Sequence, residues 1–316
     1  MIAFLTSAIR LGMAFLFGST GETITEKAGH LNLGIPGVMC VGASCGCMAG
    51  SIYYKATSGN INPILAVIIP ILATLLGGAL MGLIYSFLTV TLRANQNVTG
   101  LVLTTFGVGV SNYMIAQLDA VSFGKANIYF RASLPFAEKL GWFGKLFLSY
   151  GVFVYLAIAI AIATTLILSK TRIGLNLRAV GENPATADAA GINISRYRYL
   201  ATCIGSGIAG LGGLCFIMDY LGGNWEYMID AIGWLAIALV IFTVWKPSLG
   251  IIGSIIFGGL YIASSYITGV SFALKEILKM LPYVVTIIVL VITSIRAKRE
   301  SQPPQSLGLS YFREER

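Results

Sequence analysis

Long apolar blocks alternate with short polar or basic connections along the whole of this chain. Nine blocks are candidate membrane spans: Ala3–Thr20, Leu31–Tyr54, Pro63–Leu92, Val98–Leu118, Leu146–Ser169, Tyr199–Met218, Ala231–Trp245, Leu249–Thr268 and Leu281–Ile295. Most approach the roughly 20 residues that a helix needs to cross a hydrocarbon layer of about 30 Å, whereas buried helices of soluble enzymes are usually shorter. The pattern predicts an all-α fold, a polytopic transmembrane helical bundle of about nine spans within a range of about eight to ten. The first block is short, and the third is long enough to tilt or break. The first also lacks the short apolar core and small-residue cleavage site of a signal peptide, so it reads as a retained span.

Composition agrees with this pattern. Of 316 residues, 56% are apolar and 11% charged, with a mean hydropathy of +0.82. A soluble domain would carry about a quarter of its residues as Asp, Glu, Lys and Arg. The net charge of +8 lies in the connections and the tail, with no basic stripe interleaved with aromatics, so nucleic acid is not an expected partner. Lys170, Arg172, Arg178, Arg196 and Arg198 crowd one connection, and Arg296, Lys298 and Arg299 follow the last block. The positive-inside bias places both on the cytoplasmic side of a plasma membrane, and the four blocks between them are the even number this requires. Counting back puts Arg93 inside, the 119–145 loop outside and the N-terminus outside, an assignment that a break in the first block would reverse. Residues 1–300 thus read as a single transmembrane domain with a cytoplasmic loop at 170–198. Residues 301–316, with Pro303, Pro304 and several charges but few apolar positions, read as a flexible cytoplasmic tail. The outer loop mixes Asp119, Lys125, Arg131, Glu138 and Lys139 with glycine and aromatics, which suits an external cap, a docking surface or a solvated connection.

Few residues offer chemistry. Five cysteines lie in apolar surroundings without a CxxC pair, and His30 is the sole histidine, so neither a metal site nor a catalytic centre is expected and the chain does not read as an enzyme. From the third span onward no Asp, Glu, His, Lys or Arg stands near a span centre. Ion-coupled transporters commonly keep such a group there as a relay, so the energy is expected to come from a partner. A GxGxxG string at Gly205, Gly207 and Gly210 lies inside an apolar helix, without the preceding strand that a dinucleotide site needs. Gly205, Ala209 and Gly213, like Gly42, Gly46 and Gly50, and Gly78 with Gly82, recur every four residues, the spacing at which small residues let helix backbones approach in lipid. No GxxxxGK[ST] phosphate loop occurs.

The most distinctive polar segment runs from Arg178 to Ile192. Asn183 can cap, Pro184 suits a first helical position, alanines favour the helix and Gly191 suits the residue past its end, which predicts a short helix of about two turns. Outside the bilayer, such a helix is a rigid knob for a partner's groove or an ordinary surface connection.

This segment resembles the coupling-helix motif of ABC importer permeases, in the branch serving branched-chain amino acids, simple sugars and nucleosides. The stretch from Gly21 to Gly37, with Gly21-Glu22, Thr25-Glu26-Lys27, Ala28-Gly29 and Asn32-Leu33-Gly34, resembles especially the shorter nucleoside permease subunit; Pro36 stands where that pattern carries Glu, so no role is assigned to a carboxylate there. The two motifs and the likeness from Met1 to Ile295 imply a pathway-forming permease subunit for nucleosides, with simple sugars or branched-chain amino acids as alternatives. They also imply two cytoplasmic ATPase subunits that use ATP and Mg, a second related permease in a heterodimer, and an extracellular solute-binding lipoprotein. The chain itself would hold no cofactor. Coupling to the ATPase would fall on Arg178, Gly181, Glu182, Asn183, Pro184, Ala187, Asp188 and Gly191. Uncharged candidates for the pathway are Asn32, Asn97, Thr104, Thr105, Phe106, Asn112 and Trp234, each of which could equally satisfy a neighbouring helix. Glu22, Glu26 and Lys27 read as ion-pairing groups at a membrane edge. A stand-alone secondary transporter remains the alternative of a different class.

Overall fold

The computed structural model describes residues 2–57, 61–118, 127–132, 141, 144, 148–225, 229–267, 269, 271–296 and 302–312. The helices are α1 (Ile2–Lys27), α2 (Ile35–Ala56), α3 (Pro63–Ser86), α4 (Gln96–Ala116), α5 (Asn127–Phe130), α6 (Val152–Lys170), α7 (Arg172–Glu182), α8 (Pro184–Ala189), α9 (Ile194–Cys215), α10 (Ile229–Phe242), α11 (Pro247–Tyr266), α12 (Phe272–Lys279) and α13 (Leu281–Arg296). Wider π turns extend α3 over Phe87–Thr91 and α9 over Phe216–Tyr220. Among the described residues, eight stretches are long and apolar enough to cross a membrane, the last being α12 and α13 together. The ninth expected span is α10, only 14 residues long. At about 21 Å it is shorter than the hydrocarbon layer. Its flanks are nonetheless buried, so protein rather than lipid sets its length.

Several boundaries differ from the sequence reading. The first helix continues past Thr20 to Lys27, carrying Gly21, Glu22, Thr23, Thr25 and Glu26. These polar side chains are buried in the bundle, and a helical backbone there satisfies its own donors and acceptors where water is excluded. The fifth span starts at Val152 instead of Leu146, which lies outside the described residues, as do Asp119, Lys125, Glu138 and Lys139 of the outer loop. The π turn that ends α9 carries Asp219, fully buried, with Arg10 Nε of α1 at 3.9 Å from its Oδ1. Asp219 stands at the end of its span, and Glu22 and Glu26 in the last turns of α1, so these buried acids lie away from the span centres from which charge was expected to be absent.

α9 occupies the centre, packing on α1, α2 and α3. Its small residues face other small residues. A Cβ on Gly42 would fall 2.6 Å from the Gly210 Cα, a Cβ on Gly82 2.7 Å from the Thr202 carbonyl oxygen, and Gly205 lies against the backbone of Gly21. The four-residue spacing therefore marks backbone approach, and the GxGxxG string is packing surface.

α1 delivers Lys27 to a cavity of about 670 Å³ that Ser169, Arg178, Glu182, Lys246 and Gln302 also line. One face thus gathers the ends of α1 and α6, the α7 arm, the α10–α11 turn and the C-terminal segment. With 26 residues, α1 spans about 39 Å, so Ile2 lies on the opposite face.

Replacing Gly42 by Val should destabilise the bundle by about 1–3 kcal/mol, the usual range for overpacking. Thermal unfolding of the detergent-solubilised protein measures it. Gly109→Ala, inside α4 where a Cβ meets nothing within 4 Å, should not lower the transition and should raise it slightly, since alanine is the better helix former.

Candidate functional site

The cytoplasmic loop expected at 170–198, with one short helix between Arg178 and Ile192, is an arm of two helices, α7 and α8. Thr171 starts α7 by accepting from the Gly174 amide at 3.1 Å, and Asn183 starts α8 by accepting from the Thr186 amide at 3.0 Å. Pro184 occupies the first turn. α8 ends with Gly191 at φ +80°, its amide donating to Asp188 O at 2.9 Å while Ile192 N donates to Ala187 O at 3.0 Å. This paired-bond closure requires a left-handed residue, and glycine adopts it without a Cβ penalty. Ala187 is buried against Val180 and Ile194, whereas Ala185, Thr186 and Ala189 are exposed. The result is a six-residue knob held from beneath with a small-residue crown.

The other predicted coupling residues join this arm to the bundle. Gly181 is buried, and a Cβ there would run into the Lys27 carbonyl and lie 3.1 Å from Gly29 N. Glu182 and Arg178 line the 670 Å³ cavity with Lys27 and Lys246. Asp188 is half-buried and accepts a 3.0 Å hydrogen bond from the Tyr311 hydroxyl.

Beneath the arm lies a cluster that sequence reasoning missed. The α1–α2 turn, residues 28–34, is enclosed. Asn32 N donates to Glu22 Oε1 at 3.0 Å, Leu31 N to Gln96 Oε1 at 2.9 Å, and the Tyr85 hydroxyl to Leu31 O at 2.7 Å. His30 shares a 3.0 Å hydrogen bond with Thr202 Oγ1 and meets the Tyr85 ring edge-on. Burial, with the Arg198 guanidinium nearby, holds the His30 imidazole well below its usual value, so it is neutral at pH 7. Glu26 accepts from Trp245 Nε1. The expected ion pairing of Glu22 and Glu26 at a membrane edge is therefore corrected: both carboxylates are buried and hold neutral donors, because α1 carries them inside. Pro36, where the resembling pattern has Glu, is buried against Gly233 of α10.

The pathway candidates separate. Asn32 is fully buried with its Oδ1 accepting from Gly34 N at 2.9 Å, and Thr104 donates to Leu33 O at 2.9 Å, so both serve the α1–α2 turn. Asn97, Thr105 and Phe106 are exposed on the face of α4 turned away from α2, alongside Val98, Leu101, Val102 and Tyr113. Asn112 and Trp234 are half-buried.

Residues 4–290 match the model of a family described as branched-chain amino acid transport system / permease component. The chain belongs to this permease family. A Haloferax volcanii protein provisionally named a glucose ABC transporter permease is 30% identical, over 98% of this chain and 97% of its own length. The nucleoside ABC transporter permease protein NupC of Lactococcus lactis subsp. cremoris is 29% identical over 94% and 93%. The guanosine ABC transporter permease protein NupQ of Bacillus subtilis is 29% identical over 94% and 92%. The chain is thus a multi-pass membrane protein of a family of transport permease subunits, which implies ATPase partners.

Within this permease arm, Gly191→Ala forces a left-handed Ala and should cost about 1–2 kcal/mol locally, and Asn183→Ala should cost about 1 kcal/mol of capping. Amide hydrogen exchange at residues 185–190 should accelerate in both, with the remainder of the protein unaffected.

Proposed function

We propose that this chain is the pathway-forming subunit of an ATP-binding-cassette importer for nucleosides. Of two cytoplasmic ATPase subunits one docks on α8, a second related permease completes the membrane unit, and an extracellular solute-binding lipoprotein delivers the solute. The observation that carries this reading is the α8 knob: a capped helix with an exposed crown of Ala185, Thr186 and Ala189, rigidly joined to α7. It suits a groove in a partner. The reading rests on the knob and on the family.

The mechanics follow from the joints. ATP binding closes the ATPases and displaces α8. The arm passes this to the end of α1 through the close approach of Gly181 to Lys27 and Gly29. There the enclosed α1–α2 turn connects to α4 and α9 through Gln96 and Thr202. The exposed α4 face with Asn97, Thr105 and Phe106 supplies polar and aromatic groups to a neutral solute between the two permeases. The names of the Lactococcus and Bacillus relatives favour a nucleoside. The name of the Haloferax relative favours glucose as the second reading.

The purified complex should retain ATPase subunits and, in proteoliposomes, accumulate radiolabelled guanosine only with ATP. Accumulation driven by a gradient alone would make it a secondary transporter, and accumulation of glucose alone would favour the sugar reading. Glu182→Ala combined with Gly191→Arg should abolish uptake, and intact uptake in that variant defeats the coupling assignment.

Orientation has its own measurement. Thr186→Cys in a cysteine-free background should react in intact cells with a membrane-permeant maleimide and resist an impermeant one. Labelling by the impermeant reagent would put the knob outside.

A further inference from the structure

The segment after the last span reads as a disordered tail, yet residues 302–312 lie folded against the same face as α8. The Ser306 amide and hydroxyl both donate to Gly181 O, at 3.1 and 2.6 Å, and Ser306 is buried. Gly308 N donates to Gly29 O at 3.2 Å. Leu309 O accepts from Gln96 Nε2 at 3.3 Å and Arg198 Nη2 at 3.4 Å. The Tyr311 hydroxyl donates to Asp188 Oδ2 at 3.0 Å, and the Arg93 guanidinium lies 4.8 Å from the centre of the Phe312 ring. In sequence order the segment therefore touches the end of α7, the α1–α2 turn, the starts of α4 and α9, then α8 and the end of α3.

We propose that residues 302–312 form a strap that locks α8 to the α1–α2 turn, and that Tyr311 is a positioning residue through which displacement of α8 reaches the spans. Apart from the strap, α8 packs on α7 and the first turn of α9 alone among the larger helix contacts. Between α8 and those spans lies a cavity of about 420 Å³, lined by Arg93, Asp188, Asn193, Arg198 and Tyr311. Without a bond across it, displacement of α8 would reach the α1–α2 turn by the Gly181 joint of the arm and not directly. The strap bridges that cavity at Tyr311 and is anchored beside it at the Gly181–Gly29 joint. Tyr311 holds α8 by a hydrogen bond to a carboxylate, the stronger class of such bonds, and its ring packs on the Val180, Ala187 and Ile194 cluster. Ser306 and Gly308 hold the Gly181–Gly29 joint, where the arm meets α1. A low apolar content signals disorder for a chain that must fold alone. Here the bundle supplies the donors and acceptors, and the strap's own backbone uses them.

This inference rests on the coupling role of α8, so its test must separate the two. The complex is assembled with its ATPase subunits and second permease in proteoliposomes, using whichever of radiolabelled guanosine and glucose the wild type accumulates. Tyr311→Phe keeps the ring and removes only the hydroxyl. It should leave ATPase co-purification unchanged and lower solute accumulated per ATP hydrolysed about tenfold, the factor expected for one hydrogen bond to a charged group. In solute per ATP, Asp188→Ala should fall as far, the double variant should be no worse than either, and Asp188→Asn, which keeps an acceptor oxygen, should be largely rescued. A chain ending at Ser301 should be at least as uncoupled as Tyr311→Phe; if it fails to assemble, the point variants decide. Should Glu182→Ala with Gly191→Arg stop uptake while Tyr311→Phe matches wild type in solute per ATP, the strap is overturned and the coupling helix stands. Should both leave uptake intact, the coupling reading itself has failed and the strap falls with it.

Discussion

Backbone-to-backbone contact along α9 is the constraint on which the rest of this structure depends. In lipid there is little hydrophobic drive to bring one helix to another, and close dispersion contact has to replace it. Gly205 against Gly21, Gly210 against Gly42, and Thr202 and Ser206 against Gly82 place α1, α2 and α3 around one axis at distances that no larger side chain would permit. With those helices fixed, the α1–α2 turn has a single place to go, at the end of α9. Its polar backbone is then enclosed, and the bundle must satisfy it.

That requirement explains the composition of the Gly21–Gly37 stretch. Glu22, Asn32, Gln96, Tyr85, Thr104 and Thr202 each bond the turn or a residue beside it. An unpaired buried amide would cost about 1–3 kcal/mol, so these bonds count more by being necessary than by their individual strength. The carboxylates of Glu22 and Glu26 are part of this scaffold. They are occupied by a backbone amide and an indole, which is a structural use of a group that elsewhere marks an ion pathway.

The same turn is where function meets the fold. The α7–α8 arm reaches α1 at Gly181, and the C-terminal segment crosses the joint at Ser306 and Gly308. Under the proposed coupling, mechanical input enters through this arm, and rigidity at the joint decides how much of it the spans receive. Closely packed contacts transmit displacement because they cannot be compressed without clashes.

By itself, the sequence determined the helical class, most of the spans, and the α8 knob with its caps at Asn183 and Gly191. Each of these follows from interactions local in the chain: a run of apolar residues, a cap three residues from its target, a glycine in the left-handed region. The four-residue glycine spacing announced close packing but not which helices meet, since any two small faces are compatible. Only the tertiary structure decided that α1 continues to Lys27, that Asn32 and Thr104 hold the turn while Thr105 and Phe106 are exposed, that Asp219 is buried beside Arg10, and that residues 302–312 are docked. Most of these outcomes depend on partners distant in the chain, such as Gln96, 65 residues from Leu31 and 213 from Leu309. A polar side chain shows in the sequence only that it needs a bond, whereas the packing of distant helices chooses which bond it receives.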